Sequence, residues 1–94
     1  MIVVQGWLRT AAEDRDAYLA VCLTAVRLAR VAPGCLDFAL SADGLDADRI
    51  NVAERWTDAG SLAAFRSSGP SDDIASRILD ASVGEYEVVV DPEL

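Results

Sequence analysis

A glutamate and a tryptophan, Glu54 and Trp56, stand two positions apart in a segment that alternates as a β-strand does. Because strand side chains point alternately to the two faces, these two residues share a face and can line one pocket. Burial in a half-apolar pocket disfavours the ionised carboxylate, raises its pKa and suits it to act as a general base. The alternative is a structural Glu54 that pairs with an arginine.

Two arginines, Arg66 and Arg77, follow in the helical region after this strand. A guanidinium beside a pocket holds an anion such as a phenolate through charge-assisted hydrogen bonds. The same side chains also serve as surface cations, whose ion pairs contribute little to stability. The sequence leaves both interpretations open.

Several aromatic residues either line a cavity or fill a small core. The candidates for lining a cavity with Trp56 are Trp7, Phe38 and Phe65. Tyr18, early in the first predicted helix, is either a phenol hydrogen-bond donor or an amphipathic residue at the helix edge.

The composition excludes several classes of protein. The 94 residues form one domain, 1–94, with a formal net charge of −8 and no lysine or histidine. The eight arginines form no stripe, so a nucleic-acid partner is not expected. Without histidine, and with Cys22 and Cys35 far apart, we expect reduced thiols and no metal or haem site. No apolar run is long enough to span a membrane or to serve as a signal peptide, which predicts a cytoplasmic protein.

Periodicity and turn residues predict the elements of the fold. Alternating apolar residues predict strands at 2–8, 35–41, 50–56 and, after Gly84, from Tyr86. A helix is predicted from a capping box at Thr10 and Glu13 to about Val31, where Pro33-Gly34 turns the chain. Its apolar residues form two stripes, which requires two neighbours for this helix.

The second helical region is predicted to be split at Gly69-Pro70. Asp58 or Thr57 caps its first half, and Ser71 caps its second half. The second half has a predicted buried stripe that consists of Ile74, Ala75, Ile78, Leu79 and Ala81. The resulting order, βαββαβ, is that of a ferredoxin-like α+β fold with helices on one face of an antiparallel sheet.

The other face of this sheet also needs a cover. The first strand is apolar on both faces, and Leu36, Phe38 and Leu40 are predicted to share one face of the second strand. Two copies that stack their sheets bury the remaining apolar surface. The prediction is therefore a homodimer in the form of a dimeric α+β barrel.

Two segments, APGCLDFALS at 32–41 and RINVAERW at 49–56, resemble the core of the antibiotic biosynthesis monooxygenase superfamily. The resemblance covers nearly the whole chain and implies a homodimer of the fold above. It further implies a relation to cofactor-independent monooxygenases of phenolic polyketides or quinols, or to haem-degrading enzymes. Trp56 matches the family tryptophan that borders the cavity. The positions of a family asparagine and of the family histidine are occupied by Val52 and Phe65.

This resemblance leads to a specific hypothesis: a cofactor-free monooxygenase with Trp56, Glu54 and Arg66 as catalytic residues. Phe65, Phe38, Arg77 and Trp7 are the predicted substrate-binding residues, and the predicted substrate is a small aromatic phenol, quinol or polyketide-like compound. The alternatives are a non-catalytic ligand-binding or stress-associated module, and a purely structural dimerisation unit.

Overall fold

The computed structural model describes residues 1–67 and 77–90, which form a four-stranded antiparallel sheet with helices on one face. The strands are β1 (Ile2–Arg9), β2 (Cys35–Ala42), β3 (Arg49–Trp56) and β4 (Asp80–Glu87), in the order β2-β3-β1-β4. The helices are α1 (Arg15–Arg30), which follows a short 3₁₀ turn at Ala12–Asp14, and α2 (Ala59–Ser67). The predicted ferredoxin-like α+β fold is confirmed.

The sheet buries one face against the helices. Its central strands contribute Ile2 and Val4 from β1, and Ile50, Val52 and Trp56 from β3, all buried at even-numbered positions. The helices supply a smaller set of buried residues, which consists of Tyr18, Cys22, Ala29 and Leu62. Alternation along the strands therefore predicted the buried face correctly.

The first helix begins differently from the prediction. Its N-terminus has no side-chain capping bond, and Thr10 instead donates from its hydroxyl to the carbonyl of Ala11 at 2.8 Å. The predicted capping box at Thr10 and Glu13 is therefore wrong, because the buried Thr10 directly follows β1 and a 3₁₀ turn comes before α1. Of the two predicted apolar stripes, the one that contains Leu19, Cys22 and Val26 packs on the core, whereas Val21 and Leu28 of the other stripe are exposed.

The turn between α1 and β2 requires a glycine. Gly34 has a φ of 83°, in the left-handed region. A Cβ at this position would overlap the side chain of Ser61 at the start of α2. Its carbonyl accepts a hydrogen bond from the backbone of Thr57 at 2.8 Å. Gly34 thus lets the end of α1 and the start of α2 approach closely, and both border the site described below.

Two strand predictions need correction. The register of β2 against β3 shifts between Cys35 and Asp37, so Leu36 is exposed while Phe38 is buried. A bulge of this kind breaks the two-residue period that placed Leu36 and Phe38 on one face.

The other error concerns the end of the second helical region. β4 begins at Asp80, so Leu79 and Ala81 are exposed rather than on a buried helical stripe, and Gly84 lies inside the strand. Pairing of β4 with β1 along its whole length outweighs the helical spacing of these apolar residues. The predicted Ser71 cap, Gly69-Pro70, Ile74 and Ala75 lie outside the described residues.

An acidic loop joins β2 to β3 and is tied down by arginines. Arg9 contacts Asp46 at 3.1 Å and Asp48 at 2.7 Å, and Arg49 lies 3.6 Å from Asp43. Backbone amides of the loop and the side chain of Asn51 donate to Asp43, and these hydrogen bonds lower its pKa to about 2. The loop is therefore an ordered ion-pair network and not only a solvated turn.

Candidate ligand-binding site

Glu54 and Trp56 lie on the face of β3 that the helices cover. The indole N–H of Trp56 donates to Oε1 of Glu54 at 3.0 Å. Trp56 is fully buried, and its ring centre lies 5.4 Å from that of Phe65 on α2. Trp56 is therefore a core residue whose one polar atom is satisfied by Glu54.

The surroundings of Glu54 raise the pKa of its carboxyl group. Burial is the largest cause, and the negative charge of Glu85 acts in the same direction. The hydrogen bond from Trp56 and the charge of Arg66 partly oppose the shift. Burial therefore favours the protonated form of this carboxyl group relative to an exposed glutamate.

The two candidate arginines lie at the surface. Arg66, on the last turn of α2, is 3.4 Å from the carboxylate of Glu85 on β4. Arg77 is exposed in the turn before β4. Arg66 therefore acts on Glu54 only through its charge, and it already has an acidic partner.

A groove with a volume of about 1010 Å³ lies between α1 and α2 above β2. Its apolar wall includes Val21, Leu28, Phe38, Leu40, Ala64 and Phe65. Of the predicted site residues, Phe38 and Phe65 line this interhelical groove. Glu54, Trp56, Arg66, Arg77 and Trp7 are not among its lining residues.

Phe38 and Phe65 form an aromatic wall between the groove and the Glu54–Trp56 pair. Their rings meet edge to face with centres 5.8 Å apart. The ring of Phe65 also packs on Trp56, and Phe38 is the cross-strand partner of Glu54. The two rings thus line the groove and at the same time adjoin Trp56, through Phe65, and the strand position of Glu54, through Phe38.

Tyr18 and Cys22 contribute uncharged polar groups to the groove. They are buried one helical turn apart on α1, and each perturbs the pKa of the other. Burial, the largest cause, and the contact with Cys22 raise the pKa of Tyr18 to about 12, so its phenol is neutral at physiological pH. Sequence reasoning placed Tyr18 at a helix edge and missed this pair, although their spacing of four puts both on one helix face.

Trp7 lies on the opposite face of the sheet. The guanidinium carbons of Arg9 and Arg49 are 5.0 Å and 5.8 Å from its ring centre, within the range of cation–π contacts. A second, shallower cavity of about 650 Å³ on this face includes Gln5, Trp7, Asn51 and Tyr86. Trp7 therefore belongs to the open sheet face and not to the interhelical groove.

The described residues contain no cluster of three or more histidine, cysteine or acidic side chains that fits a metal ion. Cys22 and Cys35 are both free thiols. No helix in 1–67 or 77–90 has the length and hydropathy needed to cross a bilayer.

The fold and sequence match a known family. The family model for antibiotic biosynthesis monooxygenases matches residues 1–77 of the 94. The chain belongs to the antibiotic biosynthesis monooxygenase family. The resemblance seen in 32–41 and 49–56 is confirmed by this match. Among curated proteins, no sequence matches.

Solved structures share the fold of this family member along almost its entire length. A proposed antibiotic biosynthesis monooxygenase from Deinococcus radiodurans has a TM-score of 0.83 at 20% identity, covering 97% of this chain and 95% of that one. One from Nitrosomonas europaea has a TM-score of 0.83 at 14% identity, covering 96% and 100%. One from Chloroflexus aurantiacus is 28% identical, with a TM-score of 0.76 and coverage of 96% and 94%.

Proposed function

We propose that this family member is a cofactor-independent monooxygenase that oxidises a small aromatic phenol, quinol or polyketide-like compound in the interhelical groove. The observation that supports this most directly is the groove itself. It is large enough for a fused-ring compound, mostly apolar, and bordered by the aromatic wall of Phe38 and Phe65.

The reaction balances without an external reductant. A phenol ring carbon that bears hydrogen becomes a carbonyl carbon and takes one oxygen atom from O₂, while the phenol oxygen becomes the second carbonyl. The other oxygen atom leaves as water with the two substrate hydrogens, so the substrate supplies all the electrons. The contribution of the protein is to bind the ring, exclude water and accept the phenol proton.

Glu54 is the proposed proton acceptor, because its pKa is raised and it lies directly behind the aromatic wall. Trp56 is a positioning residue, since it holds the Glu54 carboxyl by the 3.0 Å hydrogen bond. The proposal requires the Phe65 ring to swing away or a water molecule to pass, because the wall now separates Glu54 from the groove.

Oxygen uptake with a panel of dihydroxynaphthalenes and anthrones tests this proposal. We expect consumption of O₂ that falls when Ala64→Trp fills the groove. Ala63→Trp, at the neighbouring exposed position of α2 that does not line the groove, is the matched control and should keep the activity. Equal loss in both variants, or no uptake with any substrate, contradicts the proposal.

A second candidate function is that of a non-catalytic ligand-binding protein. The separation of Glu54 from the groove by Phe65 favours it, because a base that never reaches the ligand performs no proton transfer. Binding of the same aromatic compounds without oxygen uptake, again lost in Ala64→Trp, is the result that identifies this function.

We also propose that the protein is a cytoplasmic homodimer that stacks its open sheet face on a second copy. That face carries Trp7 and Val3, which are half-buried. Tyr86, which is 55% exposed, lies beside Val3 on the same face. Light scattering should give twice the chain mass, and Trp7→Asp should shift it to the monomer. A monomer at micromolar concentration in the unmodified protein overturns this proposal.

A further inference from the structure

The described residues that line the interhelical groove include an acidic side chain and no basic one. None of the described residues that line it is an arginine, and its polar members Tyr18, Cys22, Thr24 and Ser61 are uncharged. Among its described lining residues, the charged one is Asp58, at the start of α2. The described lining therefore carries a negative charge and offers no cation to balance an anionic ligand.

The N-terminus of α2 does not replace the missing cation. A helix N-terminus attracts anions through its free amides. Here the carboxylate of Asp58 accepts the amide of Ser61 at 2.7 Å and the hydroxyl of Thr57 at 3.1 Å. These hydrogen bonds lower the pKa of Asp58, so the helix end is already occupied by an ionised group.

Two arginines on the helices that border the groove already have partners within the protein. Arg30 on α1 donates from Nε to the carbonyl of Phe38 at 2.8 Å, and Arg66 on α2 faces Glu85. Over longer distances, the net charge of −8 repels anions from the whole molecule.

From these charges we propose that the groove selects uncharged aromatic compounds and rejects anions of the same size. The proposal rests on the groove being the ligand site proposed above, and it specifies the class of ligand. Burial of an unpaired carboxylate or phenolate in an apolar groove costs far more free energy than burial of a neutral hydroxyl group. A phenolic substrate therefore binds as the neutral phenol and gives up its proton only after it is bound. This assigns no anion-holding role to Arg66 or Arg77.

Equilibrium dialysis with 2-naphthol and 2-naphthoate, two ligands of similar size, tests the proposal. At neutral pH the phenol is uncharged and the carboxylate is ionised. We expect naphthol to bind at least about tenfold more tightly than naphthoate. Equal or tighter binding of naphthoate overturns the charge selection and leaves the groove as a ligand site. Binding of neither compound overturns the ligand site and, with it, both proposals.

A pair of variants shows whether binding occurs in the groove. Thr24 is exposed and lines the groove from α1, so it can be replaced without disturbing the core. Thr24→Arg adds a cation and should tighten naphthoate binding several-fold relative to naphthol. Thr24→Gln, an uncharged control, should leave the preference unchanged. If Thr24→Arg has no effect on the ratio, the ligand binds elsewhere and the proposal fails.

Discussion

The indole of Trp56 donates a hydrogen bond to the carboxyl group of Glu54 at 3.0 Å, from a position where the tryptophan is fully buried. The two residues of greatest chemical interest in the sequence are therefore bonded to each other on one face of β3. The cavity lies on the far side of Phe65. Trp56 is part of the core, and Glu54 carries the titratable group of the pair.

Replacement of Trp56 should cost stability in proportion to the volume removed. Trp56→Ala leaves a cavity between β3 and α2 and should lower the free energy of unfolding by ~3–5 kcal/mol. Trp56→Phe keeps a ring but loses the hydrogen bond to Glu54, and should cost roughly 1–3 kcal/mol. Urea unfolding measures both values. If Trp56→Ala unfolds at the same urea concentration as the unmodified protein, Trp56 is not a core residue.

Glu54 should make stability depend on pH. Its folded-state pKa is raised above the ordinary value, so the folded protein binds this proton more tightly than the unfolded chain does. Stability that Glu54 contributes at low pH is lost as the pH rises from the ordinary glutamate pKa through the folded-state pKa. Glu54→Gln should remove this part of the slope and be more stable than the unmodified protein at neutral pH.

Urea unfolding at a series of pH values measures this effect. Glu13→Gln, which removes an exposed carboxylate from the 3₁₀ turn, is the control for the loss of one negative charge. An identical slope in Glu54→Gln and in the unmodified protein would show that burial does not perturb Glu54.

Removal of the Phe65 ring should connect Glu54 with the groove. Phe65→Ala deletes one side of the aromatic wall and should admit water to the carboxyl group, which lowers its pKa towards the ordinary value. Stability should fall by about 3 kcal/mol. A carbon-detected NMR titration of Glu54 gives the pKa. Val21→Ala removes a groove residue on α1 and should leave this pKa unchanged; if both variants shift it equally, Phe65 is not the barrier.

Gly6 allows β1 and β4 to pair at close range. A Cβ at this position would overlap the carbonyl oxygen of Ser82 and lie 2.7 Å from the Cα of Val83. Gly6→Ala should therefore force β4 away from β1 and cost at least about 2 kcal/mol. Gly44→Ala is the matched control, since a Cβ there meets open space, and it should be neutral or slightly stabilising. Thermal unfolding compares the two variants, and equal melting temperatures would contradict the close approach.

Sequence patterns predicted the fold better than the site. Alternation placed Glu54 and Trp56 on one face, and Asp58 caps α2 as its position suggested. These features depend on neighbours within a few residues. The predicted end of the helix before β4 failed, because Leu79 and Ala81 have helical spacing but pairing with β1 decides their conformation.

The position of the cavity depends on contacts between residues that are distant in sequence, which a local sequence pattern does not predict. Periodicity assigns Trp56 and Phe38 to the buried face, yet it does not say where α1 and α2 separate over that face. The gap between the two helices opens over Phe38 and Phe65, which line the groove, whereas Trp56 is fully buried. Packing of α1 on the sheet buries Tyr18 and Cys22 against Ile50 of β3 and against Leu8 and Leu40, all distant in sequence, which explains why that pair was missed.

The ion-pair loop and the aromatic wall occupy opposite ends of the sheet. Arg9 and Arg49, with the acidic loop, lie where β1 ends and β3 begins, whereas Trp56 and Phe65 lie where β1 begins and β3 ends. Dissolved salt weakens contacts between exposed charges and has little effect on contacts between aromatic rings. High ionic strength should therefore loosen one end of the molecule first, and a ligand held beside Phe65 would experience almost none of that change.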